Sequence, residues 1–384
     1  MSLIDKLKNE PKFRQDQIYR AWFSTGMVSY TAITTLPKNL RIALQDEPWT
    51  TVKLQIMQRS ELDGTQKALL TLADGAGIET VLMGRKNKRA TRESDQRYTI
   101  CISSQVGCPM GCVFCATGKM GFKRNLTARE IVDQVRFWID YLKREEPATT
   151  SGGQGIQNKF LGQAISNIVL MGQGEPLLNY DNVKLALNII LKYAEMGPRQ
   201  ITVSTVGVPA VMEKMVVDPE WPPVRFALSL HNPIEEERKK LIPSHQKDFL
   251  KFLVEWSKTY HARFNSRTQF IGLEYTIVPG ENDSERHLKA MIKFASKLGK
   301  VRINLIPLNT TTAISPRVSL APTTTKLRSN SNIRFAPIND PLDTPIEHWH
   351  HRLMDCGFTT TIRRSQGQDI AAACGQLALG QAKG

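Results

Sequence analysis

The sequence lacks long apolar stretches. Uninterrupted apolar runs are short, as at Ile168–Met171, and none approaches the roughly 20 residues of a membrane-spanning helix. The first residues also lack the apolar core of a signal peptide. We therefore expect a cytoplasmic protein with no membrane partner, whose cysteines are reduced thiols, ligands or catalysts.

Acidic residues are in the minority. The 384 residues include 36 Asp and Glu against 51 Lys and Arg, which gives a net charge of +15. This excess indicates a polyanionic partner, and RNA or DNA is favoured because the chain has no basic amphipathic segment typical of membrane anchors. A basic surface without a partner is the alternative.

Cysteine is scarce, but its distribution is informative. Four of the six cysteines lie between Cys101 and Cys115. Cys108, Cys112 and Cys115 form a C-x3-C-x2-C pattern, and thiolates this close suit a soft metal or an iron–sulfur cluster. Three ligands would leave one iron of a [4Fe–4S] cluster free. The alternative is a structural zinc site, but such sites use a second ligand pair and none follows promptly: the nearest downstream histidine is His231.

The chain from residue 98 onward alternates strand-like and helix-like segments. Strands are predicted at 99–103, 167–171, 200–204, 224–230, 270–278 and 301–306, and helices near 127–143, 181–195, 208–216, 247–259 and 284–298. This alternation predicts an α/β fold, a partial (β/α)6 barrel whose site lies at the carboxyl ends of the strands. Residues 1 to about 50 read as helical, and 51–83 as a short antiparallel sheet. We predict an accessory domain at 1–93, a barrel at 94–363 and a tail at 364–384.

Small or polar groups follow several predicted strands. In Met171-Gly-Gln-Gly-Glu-Pro176, Gly174 would let a ligand approach the backbone and Glu175 could accept a bond from an ammonium group. Other strands are followed by Ser204, by Ser229-Leu230-His231 and by Asn309. Each could be a simple strand-end cap, but together they indicate a ligand cradle.

Three further residues stand apart from these patterns. Cys374 lies between Ala373 and Gly375, in a segment able to bend into a site, whereas Cys356 is expected to be a buried spare thiol. Glu79 lies within a predicted strand, where alternation allows a solvent-facing carboxylate.

Three motifs together resemble the RlmN/Cfr family of radical S-adenosylmethionine (SAM) rRNA methyltransferases. They are Cys101 seven residues before the cysteine triad, Gly172-Gln-Gly-Glu-Pro-Leu-Leu-Asn179, and Ala373-Cys-Gly-Gln-Leu377. The resemblance covers nearly the whole chain, and the N-terminal module is more like RlmN than Cfr. The family often has Met where Gln173 stands, which bears on packing against SAM more than on chemistry. The segments 84–97 and 316–341 look longer than usual, which bears on substrate range.

The resemblance implies a role for each motif residue. Cys108, Cys112 and Cys115 would hold a [4Fe–4S] cluster. The expected SAM contacts are Gly174, Glu175, Ser204, Ser229, Leu230, His231 and Asn309. Cys374 would carry a methyl group as S-methylcysteine, Cys101 would form a transient disulfide with it, and either Glu79 or Cys101 would remove the substrate proton.

The implied activity is formation of 2-methyladenosine in 23S rRNA and in tRNA by a monomer with a radical SAM barrel. The implied partners are these RNAs and an electron-donor protein such as flavodoxin. Two alternatives stay open at this point: a Cfr-type enzyme that methylates adenine C8, and a noncatalytic RNA-binding protein with zinc.

Overall fold

The computed structural model describes residues 3–7, 9–24, 26–85, 97–145, 165–266, 268–309 and 345–379. The long segments noted above at 84–97 and 316–341 lie wholly or almost wholly outside these residues. Among the described residues, no helix combines the length and the apolar character needed to cross a membrane.

The described residues form twelve strands. They are β1 Val52–Arg59, β2 Gln66–Leu72, β3 Gly77–Arg85, β4 Arg97–Cys101, β5 Gln105–Gly107, β6 Phe122–Asn125, β7 Ile165–Leu170, β8 Ile201–Thr205, β9 Arg225–Ser229, β10 Ile271–Ile277, β11 Val301–Pro307 and β12 Thr359–Ile362.

Ten of the strands form one sheet in the order β1-β2-β3-β4-β7-β8-β9-β10-β11-β12, and β5 and β6 pair separately. Neighbours from β1 to β4 are antiparallel, as predicted for residues 51–83. From β4 to β12 all neighbours are parallel. The six predicted barrel strands are confirmed, each within two residues at its ends.

The parallel part of the sheet curves around a cavity. Side chains from β7, β8, β9, β10 and β11 line this one cavity, including Leu170, Ser204 and Ile306. In a flat sheet β7 and β11 would lie about 19 Å apart, too far for their side chains to meet. The sheet is therefore a partial barrel, and β12 adds a seventh parallel strand that its Thr-Thr-Thr-Ile sequence did not reveal.

The described helices mostly cover the outside of this sheet. They are α1 Leu3–Leu7, α2 Lys12–Phe23, α3 Lys38–Ala43, α4 Ala116–Lys119, α5 Ala128–Glu145, α6 Tyr180–Tyr193, α7 Pro209–Val217, α8 Glu235–Leu241, α9 Phe249–Arg263, α10 Glu285–Ala295 and α11 Pro345–Asp355. The five predicted barrel helices correspond to α5, α6, α7, α9 and α10. Helix α8 was not predicted, because its charged sequence has no apolar period.

Helix α2 packs against α5 and α6. Ile18, Ala21 and Trp22 of α2 are buried on one face, as their spacing predicts. Arg136 of α5 donates to the Trp22 carbonyl at 3.1 Å. Strand β3 also pairs directly with β4, so the accessory strands continue the barrel sheet. The domain boundaries after residues 93 and 363 remain predictions.

The expectation of a buried thiol at Cys356 is wrong. Cys356 is exposed just beyond α11. Trp349 and Leu353 are the buried residues on the inner face of that helix. Cys356 is not part of this face, because the helix ends at Asp355 and the chain turns at Gly357, whose φ is 85°.

Candidate active site

The three clustered cysteines lie on the loop between β5 and α4. The backbone nitrogen of Cys108 donates to the Gly121 carbonyl at 3.0 Å, and that of Cys115 donates to the Cys112 carbonyl at 3.1 Å. Gly107 has a φ of 75°, and a Cβ there would lie 1.9 Å from the Gly121 carbonyl oxygen. Only glycine therefore permits this close return of the chain.

The cluster thiols sit in a poorly solvated environment. Burial, with a smaller contribution from Cys115, raises the pKa of Cys108 to about 12. Burial and the charges of Cys115 and Cys108 also raise the pKa of Cys112. Each thiol disfavours the ionisation of the others, which shows that they lie close together. A bound metal centre would instead favour the ionised forms, because it binds cysteines as thiolates.

The arrangement of these thiols can be compared with the two metal hypotheses. Within the described part of the chain, no three His, Cys, Asp or Glu side chains converge to hold one metal ion. A structural zinc site would need four converging ligands. A [4Fe–4S] cube is larger than an ion and its ligands need not converge on one point. Cys108, Cys112 and Cys115 line one cavity from a single loop, whereas the fourth lining cysteine, Cys374, comes from the distant tail, so three ligands from one loop fit such a cluster.

One cavity, which we call the inner cavity, gathers most of the predicted site residues at the carboxyl ends of the strands. Its lining includes Cys108, Cys112, Cys115, Gly174, Glu175, Ser204, Ser229, His231 and Asn309, with Cys374 at its edge towards the tail. The Ser204 and Ser229 hydroxyls lie 3.4 Å apart. The predicted ligand cradle is thus a physical cavity beside the cysteine loop.

Glu175 is fixed in the wall of the inner cavity. Its two carboxylate oxygens accept bonds from the backbone nitrogens of Leu177 and Val206, each at 2.9 Å. Burial raises its pKa. The Thr205 side chain also hydrogen-bonds to this carboxylate, which still leaves an acceptor position for an ammonium group in the cavity. Gly174 has a φ of 104°, and a Cβ there would lie 2.6 Å from the Gln105 Cβ, which excludes other residues.

His231 is a neutral donor facing the inner cavity. Its Nδ1 accepts from the backbone nitrogen of Thr276 at 3.0 Å, which places the proton on Nε2. Burial, helped by Arg238, lowers its pKa to about 3. Its ring packs edge-on against Phe114, with centroids 4.6 Å apart. The neighbouring Leu230 is fully buried and is not among the lining residues of the cavity.

The segment that carries Cys374 is held from the cluster side. The Ala116 backbone nitrogen donates to the Gly375 carbonyl at 2.7 Å, and Thr117 Oγ1 donates to the Leu377 carbonyl at 2.6 Å. Asn309 Nδ2 donates to the carbonyl of Cys374 itself at 2.9 Å.

The accessory strands hold the same segment from the other side. Lys67 Nζ donates to the Ala371 carbonyl at 3.3 Å, and Ser60 Oγ donates to Asp369 Oδ1 at 2.7 Å. The Gly367 backbone nitrogen donates to Asp63 Oδ2 at 2.8 Å. The tail is therefore fastened between β2, the loop before it and the cysteine loop.

Cys101 and Cys374 share a second cavity, which we call the outer cavity. Its lining includes Cys101, Met171, Arg363 and Cys374, and Cys374 also lines the inner cavity. Cys374 is exposed, whereas Cys101 is buried at the end of β4. Burial, and secondarily Cys374, raises the pKa of Cys101 to about 12.

The possibility of a solvent-facing carboxylate at Glu79 is wrong. Glu79 is 1% exposed, and its Oε1 lies 3.0 Å from Lys67 Nζ. Its Oε2 accepts from the Leu379 backbone nitrogen at 3.0 Å. Glu79, Val81 and Met83 share one face of β3, and Val81 packs with Cys101. Glu79 is thus two residues along the strand from a neighbour of Cys101, and it is not among the lining residues of either cavity.

Comparison with known proteins adds a decisive likeness. No protein-family model matches the chain. Two curated proteins, from two strains of Thermus thermophilus, are each described as "Probable dual-specificity RNA methyltransferase RlmN". Each is 36% identical over 370 residues, which is 96% of this chain and 89% of the relative. The chain belongs to the RlmN family.

A solved structure agrees with this membership. A radical SAM methyltransferase from Sphaerobacter thermophilus is 31% identical, with a TM-score of 0.75 over 98% of this chain and 97% of the other. The chain is an RlmN-family radical SAM methyltransferase, and these likenesses do not favour the Cfr-type alternative.

Sequence reasoning missed three charged residues of this RlmN-family site. Glu274 and Arg363 line the inner cavity, and Lys67 pairs with Glu79. Glu274 interrupts the otherwise uncharged strand β10, and a charge in so apolar a run is a signal that could have been used. Arg363 follows the unpredicted strand β12, so nothing placed it at the site.

Proposed function

We propose that this enzyme forms 2-methyladenosine in 23S rRNA and tRNA, by way of S-methylcysteine at Cys374 and a transient disulfide between Cys374 and Cys101. The observation that carries the proposal is that Cys374 lines both cavities, one with the three cluster cysteines and the other with Cys101. A single thiol at this junction could receive a methyl group on one side and be released by a second thiol on the other.

In this proposal Cys108, Cys112 and Cys115 hold a [4Fe–4S] cluster. The SAM contacts are Gly174, Glu175, Ser204, Ser229, Leu230, His231 and Asn309, of which Leu230 does not line the inner cavity in the described arrangement. With SAM bound, the centre would supply the 5′-deoxyadenosyl radical that abstracts hydrogen from a methyl group.

Cys374 and Cys101 act as nucleophiles one after the other. The Cys374 thiolate attacks the methyl carbon of SAM, so that an S–C bond forms, the sulfonium bond breaks and S-adenosylhomocysteine leaves. Once Cys374 is joined to the adenine through its methylene carbon, the Cys101 thiolate attacks the Cys374 sulfur. The bond from that sulfur to carbon breaks, its electron pair goes to the methylene carbon, which takes up a proton and becomes the methyl group, and a disulfide remains that a thiol or dithiol reductant must reduce.

Removal of the C2 proton is assigned to Glu79 rather than to Cys101. A thiol whose pKa is about 12 is protonated at neutral pH and is a poor acceptor. Glu79 is paired with Lys67 at 3.0 Å and shares a strand face with Val81, which packs with Cys101.

The partners follow from this chemistry. RNA agrees with the names of the Thermus relatives and with the net charge of +15. Reductive cleavage of SAM needs an electron-donor protein, for which a flavodoxin is suitable. We place the enzyme in the cytoplasm, as a monomer.

Anaerobic reconstitution tests the proposal. Purified protein with iron, sulfide, SAM and a low-potential reductant is incubated with 23S rRNA fragments or tRNA, and the nucleosides are analysed by chromatography and mass spectrometry. We expect 2-methyladenosine from the native enzyme and from Cys356→Ser, the exposed-thiol control, and none from Cys374→Ser. 8-Methyladenosine, or zinc without iron and sulfide in the purified protein, would refute it.

A further inference from the structure

Arg363 occupies the junction of the two cavities. It lines both of them, as do Cys374 and Met171. Arg363 Nη1 donates to Met171 Sδ at 3.0 Å, and its backbone nitrogen donates to the Leu305 carbonyl at 2.8 Å. Its side chain is 28% exposed, so its charge is only partly screened by water.

A short chain of polar contacts fixes this guanidinium. Thr361 Oγ1 donates to Asn304 Oδ1 at 2.5 Å, and Asn304 Nδ2 donates to Glu274 Oε1 at 2.7 Å. The other oxygen, Oε2, lies 3.7 Å from Arg363 Nη1, which is an ion pair but too long for a hydrogen bond. This oxygen has no hydrogen-bond partner among the described residues, although Glu274 is only 4% exposed.

The surrounding charges single out Arg363. Of the charged side chains that line the two cavities beside Cys374, the cations are Arg363 and Arg364, and the anions are Glu175 and Glu274. Glu175 is held by two backbone nitrogens. Arg364 lines only the outer cavity. Cys374 and then Glu274 and Cys101 raise the pKa of Arg363, which is the response of a cation lying among anionic or ionisable groups.

We propose that Arg363, oriented by Glu274 and Asn304, is a positioning residue that stabilises the thiolate of Cys374 for its attack on a sulfonium methyl group. A thiolate is the nucleophilic form of cysteine, and an adjacent guanidinium favours it without being able to act as a competing base. The inference rests on the proposed function for its meaning, but the charge effect itself can be measured without turnover.

The test is the reactivity of Cys374 towards iodoacetamide in the full-length reduced protein. The alkylated fraction of the unmethylated peptide is followed by mass spectrometry between pH 6 and 9, and the rate is divided by that of exposed Cys356 in the same sample. Arg363→Gln should slow Cys374 about tenfold at neutral pH relative to Cys356 and displace its pH profile to higher pH. Arg363→Lys should retain most of the rate, because it keeps the charge.

Arg364→Gln is the matched control, since it removes a neighbouring positive charge that does not reach the inner cavity. We expect its relative rate and profile to equal those of the native protein. Equal rates in the native protein and Arg363→Gln, or an equal loss in Arg363→Lys and Arg363→Gln, would overturn the inference. The alkylation assay does not measure methyl transfer. If the alkylation rates follow the expected pattern but the native enzyme does not methylate RNA, only the proposed function is refuted.

Discussion

The buried pair between Lys67 and Glu79 makes a quantitative prediction about stability. Both side chains are almost completely buried, at 4% and 1% exposure, and their charged atoms lie 3.0 Å apart. Lys67→Met removes the cation and the bond to the Ala371 carbonyl, and it leaves the Glu79 carboxylate buried without its charge partner. Breaking one side of a buried ion pair costs about 3–5 kcal/mol.

The same pair predicts partial rescue by a second change. In the double variant Lys67→Met with Glu79→Gln, no uncompensated charge remains, and the glutamine carbonyl can still accept from the Leu379 nitrogen. Replacing both members of a buried pair is often close to neutral. We therefore expect the double variant to recover more than half of the loss, so that the two single effects are strongly non-additive.

Thermal and denaturant unfolding of the native protein, both single variants and the double variant measure this cycle. At about 2 °C per kcal/mol for a large domain, Lys67→Met should lower Tm by about 6–10 °C. A shift below about 2 °C, or additive losses in the double variant, would show that the two charges do not stabilise each other and would refute the reasoning.

Three further predictions concern the cysteine pair and the inner cavity. Cys101→Ala should accumulate a covalent protein–RNA species on denaturing gels, and normal turnover without it would remove Cys101 from the reaction. Gly174→Ala should weaken SAM binding at least about tenfold in equilibrium dialysis, because its Cβ would lie 2.6 Å from the Gln105 Cβ; Gly75→Ala, with a φ of 80° and no atom within 4 Å, controls for backbone strain alone. The pKa of His231 is about 3 when folded, below its ordinary value near 6.5, so its contribution lowers stability as pH falls from 6.5 to 3, by about 1.4 kcal/mol per pH unit. His231→Gln should flatten this slope in denaturant titrations, and an unchanged slope would contradict the buried neutral imidazole.

The sequence predicted those parts of the fold that have strong apolar patterns. Strand β10 is buried at every position and reads as an apolar run, so its existence and limits followed directly. Strand β12 has three threonines in four residues, and its place in the sheet depends on pairing with β11, which local sequence does not record.

The site was predictable only where residues adjoin a strand end or match a family motif. The cradle residues could be located because the carboxyl ends of parallel strands meet at one edge of a sheet. The environment of Glu79 could not be predicted from the sequence. Its partner Lys67 lies diagonally across the ladder in which Leu69 faces Glu79, so the ion pair appears only when the register is known.

Cys374 and Cys101 differ in burial, and this difference determines which of them reacts first in the proposed mechanism. Cys374 is exposed between two cavities, whereas burial holds the pKa of Cys101 at about 12. At neutral pH Cys101 is therefore almost entirely in the protonated thiol form. If both thiols were equally ionised, either could take the methyl group, and a methylated Cys101 could not release the RNA. Burial therefore keeps Cys101 unreactive towards SAM, so that its attack must wait for a step that removes its proton beside the adduct.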